Sequence, residues 1–271
     1  MKKLISLLLT AAMLASFALT GCGSGSTETT TAEGGQTTEE TTQEETSSDD
    51  KKVFVYPADQ DVSNLLPSSG GSDSVAVMYK PLYDPLYIIN NAETRYYLVD
   101  KLEVSDDGLN IKLHFNENAK WHDGEPVTVD DLLFTLKYFT EGATKTSTTY
   151  TKINGEDVVY EKVDDYNVNI TLPSYLSKFV TTLGRLCIYP EHVFNGDVTT
   201  VETSDAAMQG IGNGPFKLKE WNKGENIIYE KNTDYYRGEA KIDELIMKII
   251  PDSSAKEVAF QSGEVSCLRI S

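Results

Sequence analysis

Three cysteines and three histidines in 271 residues leave little material for metal or redox chemistry. The histidines (His114, His122 and His192) fall on separate stretches, and neither H-E-x-x-H nor C-x-x-C occurs. No zinc signature and no cofactor-binding motif can be read, so the expectation is no metal and no cofactor. Basic residues are scarce too. With 24 Lys and Arg against 42 Asp and Glu the net charge is −18, which argues against nucleic acid or an anionic membrane face as partner. No fixed-period repeat appears, which excludes a solenoid. Long uncharged apolar runs are also missing, with one exception at the start of the chain.

That exception is MKKLISLLLTAAMLASFALTGC, in which Lys2 and Lys3 precede an apolar run from Leu4 to about Leu19. A basic start, an apolar centre and small residues at its end read as an export signal, although the run is close to the length of a membrane span. Leu19-Thr20-Gly21-Cys22 resembles the lipobox of bacterial lipoproteins. The resemblance implies a signal peptide over 1–21, removed just before Cys22, and a diacylglycerol on the Cys22 thiol. Two acyl chains, at about 0.8 kcal/mol per buried CH₂, hold a protein stably where one does not. The alternative is an uncleaved apolar anchor.

Residues 23–50, GSGSTETTTAEGGQTTEETTQEETSSDD, hold eight acids, no base, and no aromatic or branched aliphatic residue. Such a stretch cannot bury enough apolar surface to offset its ordering entropy, so 22–50 reads as a lipidated cysteine and a disordered tether. As a flexible coil it would span roughly 30 Å, and more because its charges repel. Residues 51–271 then carry −12 of the net charge. Of the two cysteines left, Cys187 and Cys267, a disulfide is open to them outside the cytoplasm. Their spacing carries no framework signal, and free, partly buried thiols are the favoured reading.

From Lys51 onward the composition becomes that of a folded domain. KVFVY (Lys52 to Tyr56) reads as a first strand ended by Pro57, and Asp73 as the N-cap of a short helix over Ser74 to Lys80, stopped by Pro81. Around Asp107-Gly108, Leu109, Ile111, Leu113 and Phe115 alternate as one face of a hairpin. Asp164-Asp165 and Lys223-Gly224 mark two more hairpins. Helices are expected at Tyr175 to Leu183 and over SSAKEVAFQSGE, closed by Gly263, with an apolar strand in IDELIMKIIP. Mixed elements of this kind indicate α/β or α+β.

The most informative stretch is WHDGEPVTVDDLLFTL, Trp121 to Leu136. Thr128 to Asp131 is a T-x-x-D capping pattern ahead of Leu132, Leu136 and Phe139 at helical spacing. Asp130 and Asp131 sit at the positive end of the helix dipole, and Asp123-Gly124 is a tight turn. Trp121, His122, Asp123, Gly124, Thr128 and Asp131 therefore read as a structural motif, neither catalytic nor metal-binding.

WHDGEPVTVDDLLFTLKYF also resembles the signature of the family 5 extracellular solute-binding proteins, the oligopeptide, dipeptide and nickel group of ABC importers. A second block, GIGNGPFKLKEWNKGENIIYEKNTDYYRGEAKIDELIMKIIPDSSAKEVAFQSGEV, resembles that family's G-T-G-P-Y/F-K strand, its N-x-x-Y-Y/W-R-G turn and its closing G-E-x-D. Cys187 to Val193 resembles its I-x-P-x-H-V segment. Ser266 departs from the pattern, standing where the family has Asp.

The resemblance implies a periplasmic-binding-protein-like lobe I over 51–271 with an inserted β-rich subdomain at about 79–172. Family members are roughly twice as long, so it also implies that lobe II is missing from this sequence. It implies capture of peptides or other small solutes outside the membrane, delivery to ABC permease subunits, and no enzymatic step. The loop after the first strand faces the ligand cleft in the family, which makes Ser72, Asp73, Ser74 and Tyr79 candidate ligand-binding residues. A truncated non-functional fragment, a structural surface lipoprotein and, further off, an enzyme are the alternatives.

Overall fold

The computed structural model describes residues 51–67, 73–91, 93–142 and 149–268. The signal, Cys22, the tether and Ser72 lie outside the described residues.

Strand β1 (Val53–Ala58) and helix α1 (Asp73–Tyr79) come first, then β2 (Tyr87–Asn90), β3 (Glu93–Tyr96), β4 (Val99–Val104) and β5 (Asn110–Phe115). Helix α2 (Val129–Glu141) precedes β6 (Lys152–Ile153), β7 (Glu156–Asp157), β8 (Val159–Lys162) and β9 (Asn167–Thr171). Helix α3 (Phe179–Gly184), β10 (Phe216–Asn222), β11 (Asn226–Lys231), β12 (Glu244–Ile249) and α4 (Ser253–Gln261) follow. Two sheets of four strands dominate, ordered β1-β12-β11-β10 and β4-β5-β9-β8, with small hairpins β2-β3 and β6-β7. The fold is mixed α/β.

Three of the hairpins follow from local chemistry. Gly108 and Gly224 take φ of 69° and 80° at the tips of β4-β5 and β10-β11, conformations that cost glycine nothing. At the β8-β9 tip Asp164 accepts from the backbone N–H groups of Tyr166 (2.9 Å) and Asn167 (2.8 Å), an Asx turn. On β5, Ile111, Leu113 and Phe115 are buried and the residues between them are not, the period-2 alternation of a half-covered strand.

The remaining pairing is long-range. β1 lies parallel to β12, with Val55 opposite Ile246 and Ala58 opposite Ile249. Pro57 does not end β1, which runs on to Ala58. The outer edge explains this. Val55, two residues earlier, turns both backbone groups away from β12, to the Ser266 hydroxyl at 2.9 Å and the Ser266 N–H at 2.8 Å. By the same alternation Pro57 places its missing donor outside the ladder, where an edge strand tolerates proline. Helix α1 begins at Asp73 itself, so Asp73 is its first residue and not the cap before it. Helix α3 begins at Phe179, four residues later than the sequence suggests. Ser174 instead accepts from the Asn154 amide at 3.2 Å, and the Tyr175 ring lies against Gly108, so closely that a Cβ there would meet it at 2.7 Å.

A single contiguous cluster of buried apolar residues joins the two sheets. It extends from Ala58, Met247 and Tyr229 through Leu82 and Leu86 to Val168 and Ile170. Helix α2 contributes Val129, Leu132, Leu136 and Phe139 to it, each worth roughly 2 kcal/mol of burial. Its Phe134 stacks on Phe194, centroids 5.9 Å apart.

Candidate functional site

Because β1 and β12 are parallel, their carboxyl ends emerge at one edge, the place where open α/β sheets bind ligands. The residues that follow each strand meet there. Asp59, directly after β1, accepts from the Ser74 hydroxyl at 2.9 Å and pairs with Lys256 of α4. Asp252 caps α4 by accepting from the Ala255 N–H at 2.8 Å. Asp61 takes the Trp221 indole N–H at 3.1 Å and the Gly224 N–H at 2.7 Å, tying the post-β1 loop to the β10-β11 turn.

Of the ligand-binding candidates, Asp73 and Ser74 sit at this edge, at the start of α1. Tyr79 ends the same helix, about 9 Å further along its axis. It is half-buried near Cys187 and Tyr150, and burial above all pushes its hydroxyl up to about 12. The structure therefore does not bring Tyr79 together with Asp73 and Ser74. Sequence reasoning missed Asp59 and Lys256. They stand 197 residues apart, and only the parallel pairing of β1 with β12, the strand that leads into α4, unites them. Asp59's place directly after the first strand was the one available signal. Cys187 and Cys267 are free, and burial pushes the Cys187 thiol up to about 12, far from a reactive thiolate.

The WHDG motif forms a separate junction. The Asp131 carboxylate accepts from the Thr128 N–H at 2.8 Å, the Glu191 N–H at 2.9 Å and the Trp121 indole at 3.2 Å. The first of these belongs to the capping box of α2. His122 docks on the glycine-rich segment before β10: its Nδ1 accepts from the Gly212 N–H at 3.1 Å, and its Nε2–H donates to the Gly214 carbonyl at 3.1 Å. Those bonds select the neutral ring, and burial pushes its pKa down to about 4. Asp123 accepts from His192 Nε2 at 2.9 Å, and Gly124 turns the chain at φ 101°.

Both nitrogens of His122 are thus committed to backbone groups. Among the described residues no hydroxyl or thiol bonds to the His122 or His192 ring, and no group of three His, Cys, Asp or Glu is placed to hold a metal ion. What the junction does is join three sequence blocks: α2, the Tyr189 to His192 segment and the Gly210 to Gly214 segment.

Comparison with known proteins places these blocks. The family model for bacterial extracellular solute-binding proteins, family 5 (middle region), matches residues 93–270. The chain belongs to that family. It is 29% identical over 229 residues to the oligopeptide-binding protein AppA of Bacillus subtilis, covering 75% of this chain and 41% of that protein. Among solved structures it resembles a putative peptide binding protein AppA from Clostridium difficile, at 33% identity and a TM-score of 0.70, over 82% of this chain and 45% of the other. It also resembles Bacillus subtilis AppA in complex with a nonapeptide, at 27% identity and a TM-score of 0.66, over 79% and 43%. This family 5 chain spans less than half the length of these relatives.

Proposed function

We propose that this family 5 protein captures oligopeptides or dipeptides outside the membrane, held there by lipid on Cys22, and delivers them to the permease subunits of an ABC importer. One observation carries the reading: the likeness to a putative peptide binding protein AppA and to an AppA solved with a nonapeptide covers about four-fifths of this chain, 82% and 79%. The carboxyl edge of β1 and β12 supports it by supplying a polar rim of Asp59, Asp73, Ser74 and Lys256, the kind of surface on which a peptide backbone finds both donors and acceptors. The family's role is solute binding, so no covalent step is assigned to the chain. The remaining parts of the proposal are a signal over 1–21, a tether over 22–50 and a binding domain over 51–271 with its inserted β-rich part at about 79–172.

Calorimetry with a library of di- to nonapeptides tests the binding step. Saturable micromolar binding is the expected result, and no heat with any peptide class would overturn it in favour of a non-functional fragment or a structural surface protein. Anchoring is tested by fractionation: Cys22→Ala should move the protein from the membrane to the soluble fraction. Unchanged membrane retention would identify the apolar run itself as the anchor.

A further inference from the structure

Between the end of α1, the start of β2 and the residue after α3 lies a cavity of about 530 Å³, whose walls include Lys80, Asp84, Ile88, Tyr97 and Arg185. It contains none of the carboxyl-edge residues, and its volume is that of a small-molecule site.

Its charges are arranged unusually. Asp84 is only 5% exposed. Its Oδ2 accepts both the Tyr235 hydroxyl at 2.7 Å and the Tyr236 hydroxyl at 2.8 Å, and its own N–H donates to Asn213 at 2.8 Å. Nothing among the described residues bonds to Asp84 Oδ1. Lys80 and Arg185 are exposed and form no ion pair among the described residues, in a chain rich in carboxylates. Tyr97 carries the Arg237 guanidinium 4.1 Å above its ring, so that wall is held in place.

A simple ion does not fit this arrangement. An anion drawn by Lys80 and Arg185 would face the buried Asp84 carboxylate, and a cation drawn by Asp84 would face the two basic side chains. A molecule with an ammonium at one end and a carboxylate at the other satisfies both. We propose that this cavity is a binding site for zwitterions of amino-acid to dipeptide size. The ammonium donates to Asp84 Oδ1, and the carboxylate lies on the Arg185 fork beside Lys80, a geometry suited to bidentate pairing. The side chain lies along Ile88 and Tyr97.

The test is calorimetry of the full chain with L-alanyl-L-leucine, its N-acetyl derivative and its C-terminal amide. The free dipeptide should bind at least tenfold more tightly than either capped form. In the Lys80→Gln/Arg185→Gln double variant, which alters two exposed side chains, discrimination against the amide should fall below twofold while discrimination against the acetyl form persists. Asp84→Asn, checked by thermal melting, should do the reverse, and if it fails to fold the double variant decides. Equal binding of all three probes, no binding of any, or an unchanged pattern in the double variant would each overturn the proposal. Longer peptides that still bind the double variant would leave the importer reading standing; dipeptide binding that depends on Lys80 and Arg185, with no longer peptide bound, would leave this one.

Discussion

Asp131 answers for three donors on a carboxylate that is only 3% exposed. Burial pushes the group up to about 6 while the Thr128, Glu191 and Trp121 donors hold it down. Asp131→Ala would leave those donors without an acceptor in a place water hardly reaches, costing about 3 kcal/mol in urea or thermal unfolding. His122 titrates in the opposite sense. Its ring falls from an ordinary 6.5 to about 4 on folding, so the stability it contributes is fully present above pH 6.5 and is lost as pH falls through 4. Allowing for a ring that is not fully enclosed, the loss is about 2 kcal/mol. Asp131, raised on folding, instead gives up stability as pH rises through 6, so the wild-type pH curve mixes the two. Comparison with His122→Gln separates them: the variant's melting temperature should drop less between pH 7 and pH 4 than the wild type's. An equal drop in both would show that the ring is already charged in the folded protein. At this scale the sequence was legible where partners are neighbours. T-x-x-D names the cap, but nothing local announces that Trp121 and Glu191 share the same carboxylate.

Elements built from local chemistry could be read directly, because Asp107-Gly108, Asp164 and Lys223-Gly224 each set a turn by themselves. Where tertiary contacts override local preference the reading slipped: α3 starts late because Tyr175 packs on Gly108, and β1 runs through Pro57 because its outer edge faces Ser266. The parallel pairing of β1 with β12 leaves no trace in either strand's own residues, so the Asp59–Lys256 contact at the candidate site could not be foreseen. Ser266, where the family has Asp, is accounted for by that edge, since its hydroxyl oxygen accepts the Val55 N–H. Ser266→Ala should lower stability by about 1 kcal/mol, whereas Ser266→Asp, which restores an acceptor, should stay close to wild type; equal losses would mean the hydroxyl is not the feature that matters. The glycine-rich segment before β10 gives a sharper test. A Cβ on Gly212 would come within 1.9 Å of the Leu82 carbonyl oxygen, and the same carbonyl accepts from Asn213 at 2.9 Å and Gly214 at 2.8 Å. Gly212→Ala must therefore push two backbone segments apart and detach His122, with a loss of 3 kcal/mol or more, roughly the upper end for single substitutions. Gly238→Ala, in open space at φ 92°, should show only the smaller cost of backbone strain.

For the whole molecule, the question is whether the β-rich part at about 79–172 unfolds on its own. Its sheet, β4-β5-β9-β8, shares no strand with β1-β12-β11-β10, which would allow independence. Packing argues the other way. The buried cluster is continuous across both sheets, and hydrogen bonds cross between the two halves: Leu82 to the Gly212 to Gly214 segment, and His122 to the same segment. Cutting one half loose would expose apolar surface on both and strand these donors, so the two halves should open together. Hydrogen exchange followed by mass spectrometry in rising urea can read each sheet separately. Amides of β5 and β9 and those of β11 and β12 are expected to lose protection at a common midpoint. Release of β1 and β12 at distinctly lower urea, with β5 and β9 still protected, would show instead that 79–172 is a self-sufficient unit and that the parallel pair carrying the candidate site is the weakest part of the fold.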